Sequence, residues 1–296
     1  MKQTVFTGAA CAIVTPFDGN RKVDYKALKK QIDFQIENGT DAIVVCGTTG
    51  ESATLDSRER RQVIKTAVKQ VNGKVPVIAG TGGNNTQDVI KKSQSAESLG
   101  VDALLIVTPY YNKCSQEGLV EHYSRISDSV TKPIIVYNVP SRTGVNIKPE
   151  TYKRLSQIEN VVATKEANGD LSALMKTLML CGDELDIYCG NDDQSAAFTL
   201  LGGKGPISVF SNIMPQASHD IVSAALDGDA DYATALQLRY LGLCNVLFCD
   251  VNPMPVKYAM AQMGTDSGVC RLPLTRPSDS AKERIDYTLR YHGLIE

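Results

Sequence analysis

The stretch VVATKEANGD, residues 161–170, joins an apolar run to a lysine and a turn. Small and β-branched residues lead directly into Lys165 and turn formers follow it, which predicts a buried strand that ends at this lysine. Burial disfavours the ammonium form, and a lysine with a lowered pKa is the nucleophile that imine formation with a carbonyl substrate requires. Taken alone, the stretch leaves two other interpretations open, in which Lys165 extends to solvent or pairs with Glu166.

Short apolar runs of this kind recur along the chain, and amphipathic segments and turns lie between them. Each run has the length and the residue types of a buried strand. The predicted strands cover residues 9–15, 41–46, 76–79, 102–107, 133–136, 161–165, 186–189 and 206–209. Helices are predicted near residues 57–71, 115–130 and 215–226.

Strands and helices that alternate in this way predict an α/β fold, a (β/α)₈ TIM barrel over residues 1–230. A doubly wound open sheet is the competing topology. The regular repeats favour the barrel, and GTGGNN at residues 80–85 lacks the last glycine of a nucleotide-binding GxGxxG motif. Residues 231–296 are expected to form a C-terminal helical extension packed on the barrel. Its helices are predicted near residues 232–247, 255–263 and 278–291.

The composition of the 296 residues is that of a globular protein, with 43% hydrophobic and 22% charged residues. The net charge of −2 indicates no basic surface for nucleic acid or an anionic membrane. No apolar run approaches the ~18 residues that span a bilayer, and the amino terminus lacks the apolar core of a signal peptide. These features predict a cytoplasmic protein without a nucleic-acid or membrane partner.

Cysteine and histidine patterns disfavour disulfides and metal sites. None of the eight cysteines belongs to a CxxC pair, and several lie inside apolar runs, where a free thiol behaves as a small hydrophobe. A disulfide framework is not expected in so large a chain without a secretory signal. The three histidines are far apart and form no cluster with metal-ligand spacing, so no metal is expected.

Polar residues of unusual type follow four of the predicted strands. They are Thr48, Thr49, Tyr111, Tyr137, Arg142 and Lys165. Active sites of TIM barrels form where the carboxyl ends of the strands meet. The convergence of these side chains on one face therefore predicts an active site.

Each of these residues has a chemical role that fits imine chemistry. Lys165 would attack a ketone, and the resulting imine is an electron sink for carbanion chemistry. Tyr137 is a phenol that can move protons, and Thr48 and Tyr111 could extend a chain of hydroxyls. Two alternatives remain open, in which Tyr137 is a core tyrosine with a solvated hydroxyl and Tyr110 with Tyr111 forms a packing or oligomer contact.

Two further groups predict a substrate with carboxylates. The turn GTTG at residues 47–50 offers backbone N–H and hydroxyl donors to a small carboxylate. Arg142 has the fork geometry that holds a second carboxylate through two hydrogen bonds.

At seven motifs the sequence resembles the dihydrodipicolinate synthases, within the N-acetylneuraminate lyase family of class I aldolases. The motifs are TPF (15–17), GTTGESATL (47–55), PYYN (109–112), YNVPSRTG (137–144), KE (165–166), NPMPVK (252–257) and RLPL (271–274). The resemblance covers nearly the whole chain, and the motifs together are highly specific.

The resemblance implies a lyase that condenses pyruvate with L-aspartate-4-semialdehyde, the first committed step of diaminopimelate and lysine biosynthesis. It implies that Lys165 forms the pyruvate imine and that no other cofactor takes part. It further implies that Thr48 and Thr49 receive the pyruvate carboxylate and that Arg142 binds the carboxylate of the semialdehyde.

The remaining roles also follow from the resemblance. It implies a proton relay of Tyr137, Thr48 and Tyr111, with Tyr111 reaching into the site of a neighbouring subunit. Backbone groups of Gly190 and Ile207 would line the pocket. The implied assembly is a homotetramer, a dimer of tight dimers.

Two other functions are alternatives to the synthase. A pyruvate-dependent sugar-acid aldolase or lyase of the same family keeps the imine but changes the acceptor. Such relatives usually have Ser-Thr in the Gly-x-Thr-Gly turn and lack the arginine, so Thr48 and Arg142 favour the synthase. A barrel that only senses a small molecule is disfavoured, because it has no need for Lys165, Tyr137 and Arg142 together.

Lysine-inhibited members of the family bind lysine in a cleft at a dimer interface. The matching positions are Ser52, Ala53, Asn84, Asp88 and Tyr110. Ser57 and Arg60 stand where inhibited enzymes have histidines. Because a guanidinium there repels the lysine ammonium, we expect feedback by lysine to be weak or absent.

Overall fold

Parallel strands form the centre of the computed structural model. The structure describes residues 2–296, so Met1, the first residue of the predicted barrel segment 1–230, lies outside the described residues. The strands are β1 (Ala10–Ala12), β2 (Ala42–Val45), β3 (Val77–Gly80), β4 (Ala103–Val107), β5 (Ile134–Asn138), β6 (Val161–Glu166), β7 (Asp186–Cys189) and β8 (Ile207–Ser208). β1 pairs with both β2 and β8, and Cys189 bridges to Pro206, so the sheet returns on itself. The predicted TIM barrel is confirmed.

Helices follow the strands and cover the barrel. They are α1 (Tyr25–Glu37), α2 (Ser57–Val71), α3 (Thr86–Glu97), α4 (Gln116–Ser127), α5 (Pro140–Thr143), α6 (Pro149–Leu155), α7 (Leu171–Cys181), α8 (Ser195–Leu200), α9 (Pro215–Leu226), α10 (Ala230–Val246), α11 (Met254–Gln262) and α12 (Asp279–Tyr291). Side-chain caps fix several starts: Asp24 begins α1, and a capping box of Asp56 and Glu59 begins α2. The predicted bounds of α2 and α9 are confirmed.

Some predicted ends were wrong, for reasons that lie in tertiary contacts. β5 continues to Asn138 and β6 to Glu166, because these two residues pair in register and the Asn138 amide donates to the Glu166 carboxylate at 2.9 Å. α4 ends at Ser127 and not near residue 130, because the Asn160 amide binds the carbonyl oxygens of Ser127 and Val130.

The two faces of the barrel wall bury different apolar sets, because successive side chains of a strand point to opposite sides. The interior is filled by small and branched residues, among them Ala10, Ala12, Val44, Ile78 and Leu105. The outer face packs under the helices with Ile43, Val45, Leu104 and Ile106. With both faces occupied by apolar groups, the strand ends are where polar side chains gather.

The C-terminal helices share a core with the barrel. Leu243 of α10, Val256 of α11 and Ile285 of α12 are buried in one cluster with Ile221 of α9 and Val14, the second residue after β1. Because this cluster is continuous with barrel residues, we propose that residues 231–296 form an appendix of the barrel and not a separate domain.

The cysteines form no disulfides among the described residues. All eight cysteines are free, and six of them are buried. Across residues 2–296, no helix combines the length and the apolar character that crossing a membrane requires.

His122 on α4 makes stability dependent on pH. Its Nδ1 lies 2.9 Å from the Thr86 hydroxyl, and burial lowers the pKa of His122 to about 4. In the unfolded chain the pKa is about 6.5, so between these values the unfolded state binds more protons and stability falls as the pH falls. From pH 7 to pH 5 this loss is about 2 kcal/mol.

We expect His122→Gln to lose less stability than the unmodified protein over that range, because glutamine does not titrate. Denaturant unfolding of both proteins at pH 7 and pH 5 measures the difference. An equal loss in the two proteins would contradict the assignment to His122.

Candidate active site

A cavity of about 170 Å³ opens at the carboxyl ends of the strands. Its polar lining comes from Thr48, Thr49, Ser141, Arg142, Lys165, Asn191 and Asn252, together with Tyr137. Ala12, Val44 and Leu105 form its apolar floor from inside the barrel. Residues from six different strands or their following loops therefore meet at one site, and five of the six predicted polar residues, all except Tyr111, border it.

Lys165 lines this cavity. It is the fifth residue of β6 and pairs in register with Tyr137 on β5. The residue is only 5% exposed, and its Nζ lies 4.6 Å from the centroid of the Tyr137 ring. The amine therefore does not extend to bulk solvent, and it faces a phenol ring across the cavity.

Glu166 does not pair with Lys165, because its side chain points to the opposite face of the strand. Its carboxylate accepts hydrogen bonds from the Tyr152 hydroxyl at 2.7 Å, the Asn138 amide at 2.9 Å and the backbone N–H of Asn168 at 2.9 Å. Burial raises the pKa of Glu166, and these donors oppose that effect. The network anchors the end of β6 and leaves Lys165 free of an ion pair with its neighbour.

The loop after β2 brings two threonine side chains to the cavity. Thr49 is 3% exposed, and its Oγ1 accepts a hydrogen bond of 3.1 Å from Asn252 Nδ2. Thr48 is partly buried and lines both this cavity and the adjoining cleft. The loop ends at Glu51, whose φ of +51° lies in the left-handed region and whose carboxylate is bound by Lys257 at 2.8 Å.

Arg142 lies at the mouth of the cavity on the short helix α5. Its Nη2 donates to the backbone oxygen of Asn252 at 3.3 Å, and its side chain also borders the adjoining cleft. A cation at the entrance and hydroxyl donors at the base allow the site to hold two carboxylates at opposite ends.

Gly190 lines the cavity, and Ile207 does not. A Cβ at Gly190 would lie 2.5 Å from the Cβ of Ala167, so only glycine fits this approach. The Gly190 N–H donates to the Glu166 carbonyl oxygen at 2.7 Å. Ile207 is 1% exposed inside the barrel, and Val209, two residues later, borders the cavity instead.

Tyr111 is not brought together with the other predicted residues in this chain. It is 91% exposed, and it does not border the cavity around Lys165. Its φ of +71° lies in the left-handed region, which is unfavourable for a tyrosine. Residues with strained backbone conformations cluster at functional sites. The strain and the exposure of Tyr111 together indicate that its side chain contacts another molecule.

A second cleft of about 690 Å³ adjoins the cavity and contains part of the predicted effector site. Ser52, Ala53 and Tyr110 line it, whereas Asn84 and Asp88 do not. Its other walls carry the cations Arg60, Arg61, Lys91 and Lys92. Burial and then the charge of Arg60 lower the pKa of Lys92. The cleft is therefore positively charged.

Sequence reasoning missed the role of Asn252. The motif NPMPVK at residues 252–257 contributes to the resemblance, but its residue types predict no chemistry. An asparagine followed by proline in a long loop has no periodicity that indicates burial, and only the fold brings Asn252 to Thr49, 203 residues away.

The chain is similar to known proteins over almost its whole length. The Dihydrodipicolinate synthetase family profile matches residues 5–291. The chain is 47% identical over 295 residues to 4-hydroxy-tetrahydrodipicolinate synthase of Acetivibrio thermocellus, and 100% of each sequence is covered.

Two solved structures are similar over almost the whole chain. The chloride-inhibited dihydrodipicolinate synthase from Acinetobacter baumannii, complexed with pyruvate, has 42% identity and a TM-score of 0.96, covering 99% of this chain and 100% of that one. The enzyme from Cyanidioschyzon merolae with lysine bound has 35% identity and a TM-score of 0.95, with 99% and 100% covered. On the profile match and on full-length identity near one half, the chain belongs to the dihydrodipicolinate synthetase family.

Proposed function

We propose that the protein is a lyase that condenses pyruvate with L-aspartate-4-semialdehyde to give 4-hydroxy-tetrahydrodipicolinate, in diaminopimelate and lysine biosynthesis. The observation that carries the proposal is the buried amine of Lys165 beside the Tyr137 ring, 4.6 Å from its centroid, in a cavity with hydroxyl donors and a cation. Curated relatives with this activity, similar over their full length, support the same reaction.

The proposed chemistry begins at Lys165. Its amine attacks the ketone carbon of pyruvate, and loss of water gives an imine. The imine withdraws electrons, so the adjacent methyl group loses a proton and becomes an enamine carbon that attacks the aldehyde. Tyr137 and Thr48 are suited to carry the protons of these steps, because both border the cavity that contains Lys165.

Substrate selection is assigned to the two ends of the cavity. Thr49, at the buried end, would receive the pyruvate carboxylate, and Arg142, at the mouth, the carboxylate of the semialdehyde. Of the two residues expected to contribute backbone groups, only Gly190 borders the cavity, so we assign this role to Gly190 alone. All of this chemistry is supplied by the chain itself and the covalent imine, so we propose a reaction without a metal or another cofactor.

The exposed Tyr111 supports an oligomeric enzyme. A tyrosine that is 91% exposed and has a left-handed backbone conformation could complete the relay only in the site of a second subunit. We therefore propose that the active form is at least a dimer, and that it assembles as a homotetramer of paired dimers in the cytoplasm.

Two measurements on the unmodified protein test the proposed function. Borohydride reduction in the presence of pyruvate should trap the imine and add about 72 Da to the intact chain. Pyruvate and the semialdehyde together should be consumed by condensation. A protein that forms the adduct but releases pyruvate from sialic acid or another sugar acid would be the alternative aldolase, and a protein without the adduct would exclude both enzymes.

Feedback by lysine is expected to be weak or absent, because the cleft beside the active site is cationic. Arg60 donates to the Ser52 carbonyl oxygen at 2.7 Å, which fixes its guanidinium against a predicted effector residue. Like charges separated by a few ångströms repel, so a lysine ammonium is disfavoured there. Titration of the initial rate with lysine checks this, and an inhibition constant well below millimolar would contradict it.

A further inference from the structure

Asn252 connects the two groups that we assign to the substrate carboxylates. Its side chain amide donates to Thr49 Oγ1 at 3.1 Å, and its backbone oxygen accepts from Arg142 Nη2 at 3.3 Å. The residue is 5% exposed and borders both the cavity and the adjoining cleft. It is thus a buried polar residue between the two ends of the site.

The hydrogen bond from Asn252 determines where the proton of Thr49 can point. A threonine hydroxyl has one proton to donate and lone pairs that accept. Because Nδ2 of Asn252 already donates to Oγ1, the Thr49 proton cannot be directed at Asn252. Within residues 2–296 this is the only hydrogen bond made by the Thr49 hydroxyl, so its proton remains free for a group in the cavity.

The Asn252 amide has no competing partner. Its Oδ1 is buried and accepts no hydrogen bond from residues 2–296. A buried oxygen without a donor is uncommon in native structures. The hydrogen bond to Thr49 is therefore the one that the Asn252 side chain makes within residues 2–296.

A second contact holds the same loop against the same segment. Lys257 on α11 is fully buried, and its Nζ lies 2.8 Å from Glu51 Oε1 and 2.9 Å from the Thr15 carbonyl oxygen. Glu51 follows Thr49 by two residues, and Asn252 lies two residues before α11 begins. The contacts of Lys257 with Glu51 and with Thr15 therefore fix the distance between the segment that carries Asn252 and the loop that carries Thr49.

We propose that Asn252 is a positioning residue that directs the Thr49 hydroxyl proton into the cavity, toward the carboxylate of the substrate bound to Lys165. This inference rests on the proposed function. The bond from Asn252 also polarises the hydroxyl and makes it a stronger donor. The C-terminal segment thereby takes part in the binding of pyruvate without touching it.

Asn252→Asp and Asn252→Ala test the direction of this hydrogen bond. A carboxylate of the same shape can only accept, so in Asn252→Asp the Thr49 proton turns away from the cavity and a negative charge faces the substrate carboxylate. Alanine leaves the hydroxyl free to rotate. The pyruvate concentration for half-maximal borohydride trapping should rise about tenfold for alanine and about 100-fold for aspartate.

This order is opposite to that expected for a residue that only fills space, for which the isosteric aspartate would be milder than alanine. Asn20→Asp, at an exposed position, is the control for the change in net charge. Asn252→Asp in the Thr49→Val background is the control for local repulsion, because the repulsion persists there and the effect through the hydroxyl does not. Trapping without the semialdehyde separates pyruvate binding from any effect through Arg142. If Asn252→Asp traps at the concentration of the unmodified protein, the proposal is overturned.

Thr49→Val tests the hydroxyl directly and requires no change at Asn252. Valine has the shape of threonine but no hydroxyl, so it should raise the half-maximal concentration about tenfold. In the Thr49→Val background, Asn252→Ala should add little, because the two residues act through one hydroxyl. An unchanged Thr49→Val, or full additivity of the pair, would refute the proposal.

Failure of the proposed function gives a different result. If the unmodified protein and Asn20→Asp both form no adduct, the imine chemistry itself is absent. If both form it and only the order of the Asn252 variants is wrong, the function stands and the role of Asn252 does not.

Discussion

Replacing Lys165 with alanine should abolish the adduct with pyruvate and reduce condensation by at least about 10³-fold, because the covalent nucleophile is removed. Lys165 is 5% exposed and lines the cavity beside Tyr137. Lys165→Arg keeps the positive charge but should be equally inactive, since a guanidinium stays protonated and does not form the imine. Mass spectrometry after borohydride reduction and a condensation assay measure both effects.

Lys204→Ala is the matched control for Lys165→Ala. Lys204 lies just before β8, at the amino end of the strands and away from the cavity, and pairs with Asp186 at 3.8 Å. This variant should form the adduct as readily as the unmodified protein. An adduct that persists in Lys165→Ala would assign the imine to another lysine and contradict the proposed mechanism.

Lys257→Met should cause the largest loss of stability, about 3–5 kcal/mol, because it leaves a carboxylate buried without its cation. The side chains of Lys257 and Glu51 are both 0% exposed, and their charged atoms lie 2.8 Å apart. After the substitution, the backbone N–H of Arg271, 2.9 Å from Oε2, would still donate to the carboxylate. Denaturant unfolding at pH 7 measures the change in the free energy of unfolding.

Lys282→Met provides the same substitution at an exposed pair. The Lys282–Asp279 contact is also 2.8 Å long, but the side chain of Asp279 is 93% exposed. Such surface pairs contribute at most about 1 kcal/mol, so this variant should be nearly as stable as the unmodified protein. Equal losses in the two variants would show that burial does not govern the Lys257 contact.

Glu51→Gln added to Lys257→Met should restore roughly half of the lost stability, because the uncompensated charge is removed while an acceptor for Arg271 remains. The double variant should also trap pyruvate less effectively than the unmodified protein, since Glu51 closes the loop that carries Thr49. A double variant less stable than Lys257→Met alone would contradict the buried-charge argument.

The barrel was predictable because its signals are local. The eight apolar runs are spaced by helices, and the bounds of α2, β7 and α9 follow from caps and turn residues within a few positions. The position of Lys165 at a strand end was also predictable, because an apolar run that meets a lysine before a turn has few other structural solutions. The residues that flank the cavity were predictable because the carboxyl ends of the strands converge in a barrel.

The sequence by itself therefore determined the barrel, the face that bears the site and most of the side chains at that face. Only the tertiary structure decided which of those side chains meet. It separated Tyr111 from Lys165 within one chain, directed Glu166 to Asn138 and Tyr152, and brought Asn252 to Thr49. The physical reason is range: strand periodicity and capping act over a few residues, whereas a buried amide or ammonium is satisfied by whatever partner the closed fold brings within about 3 Å.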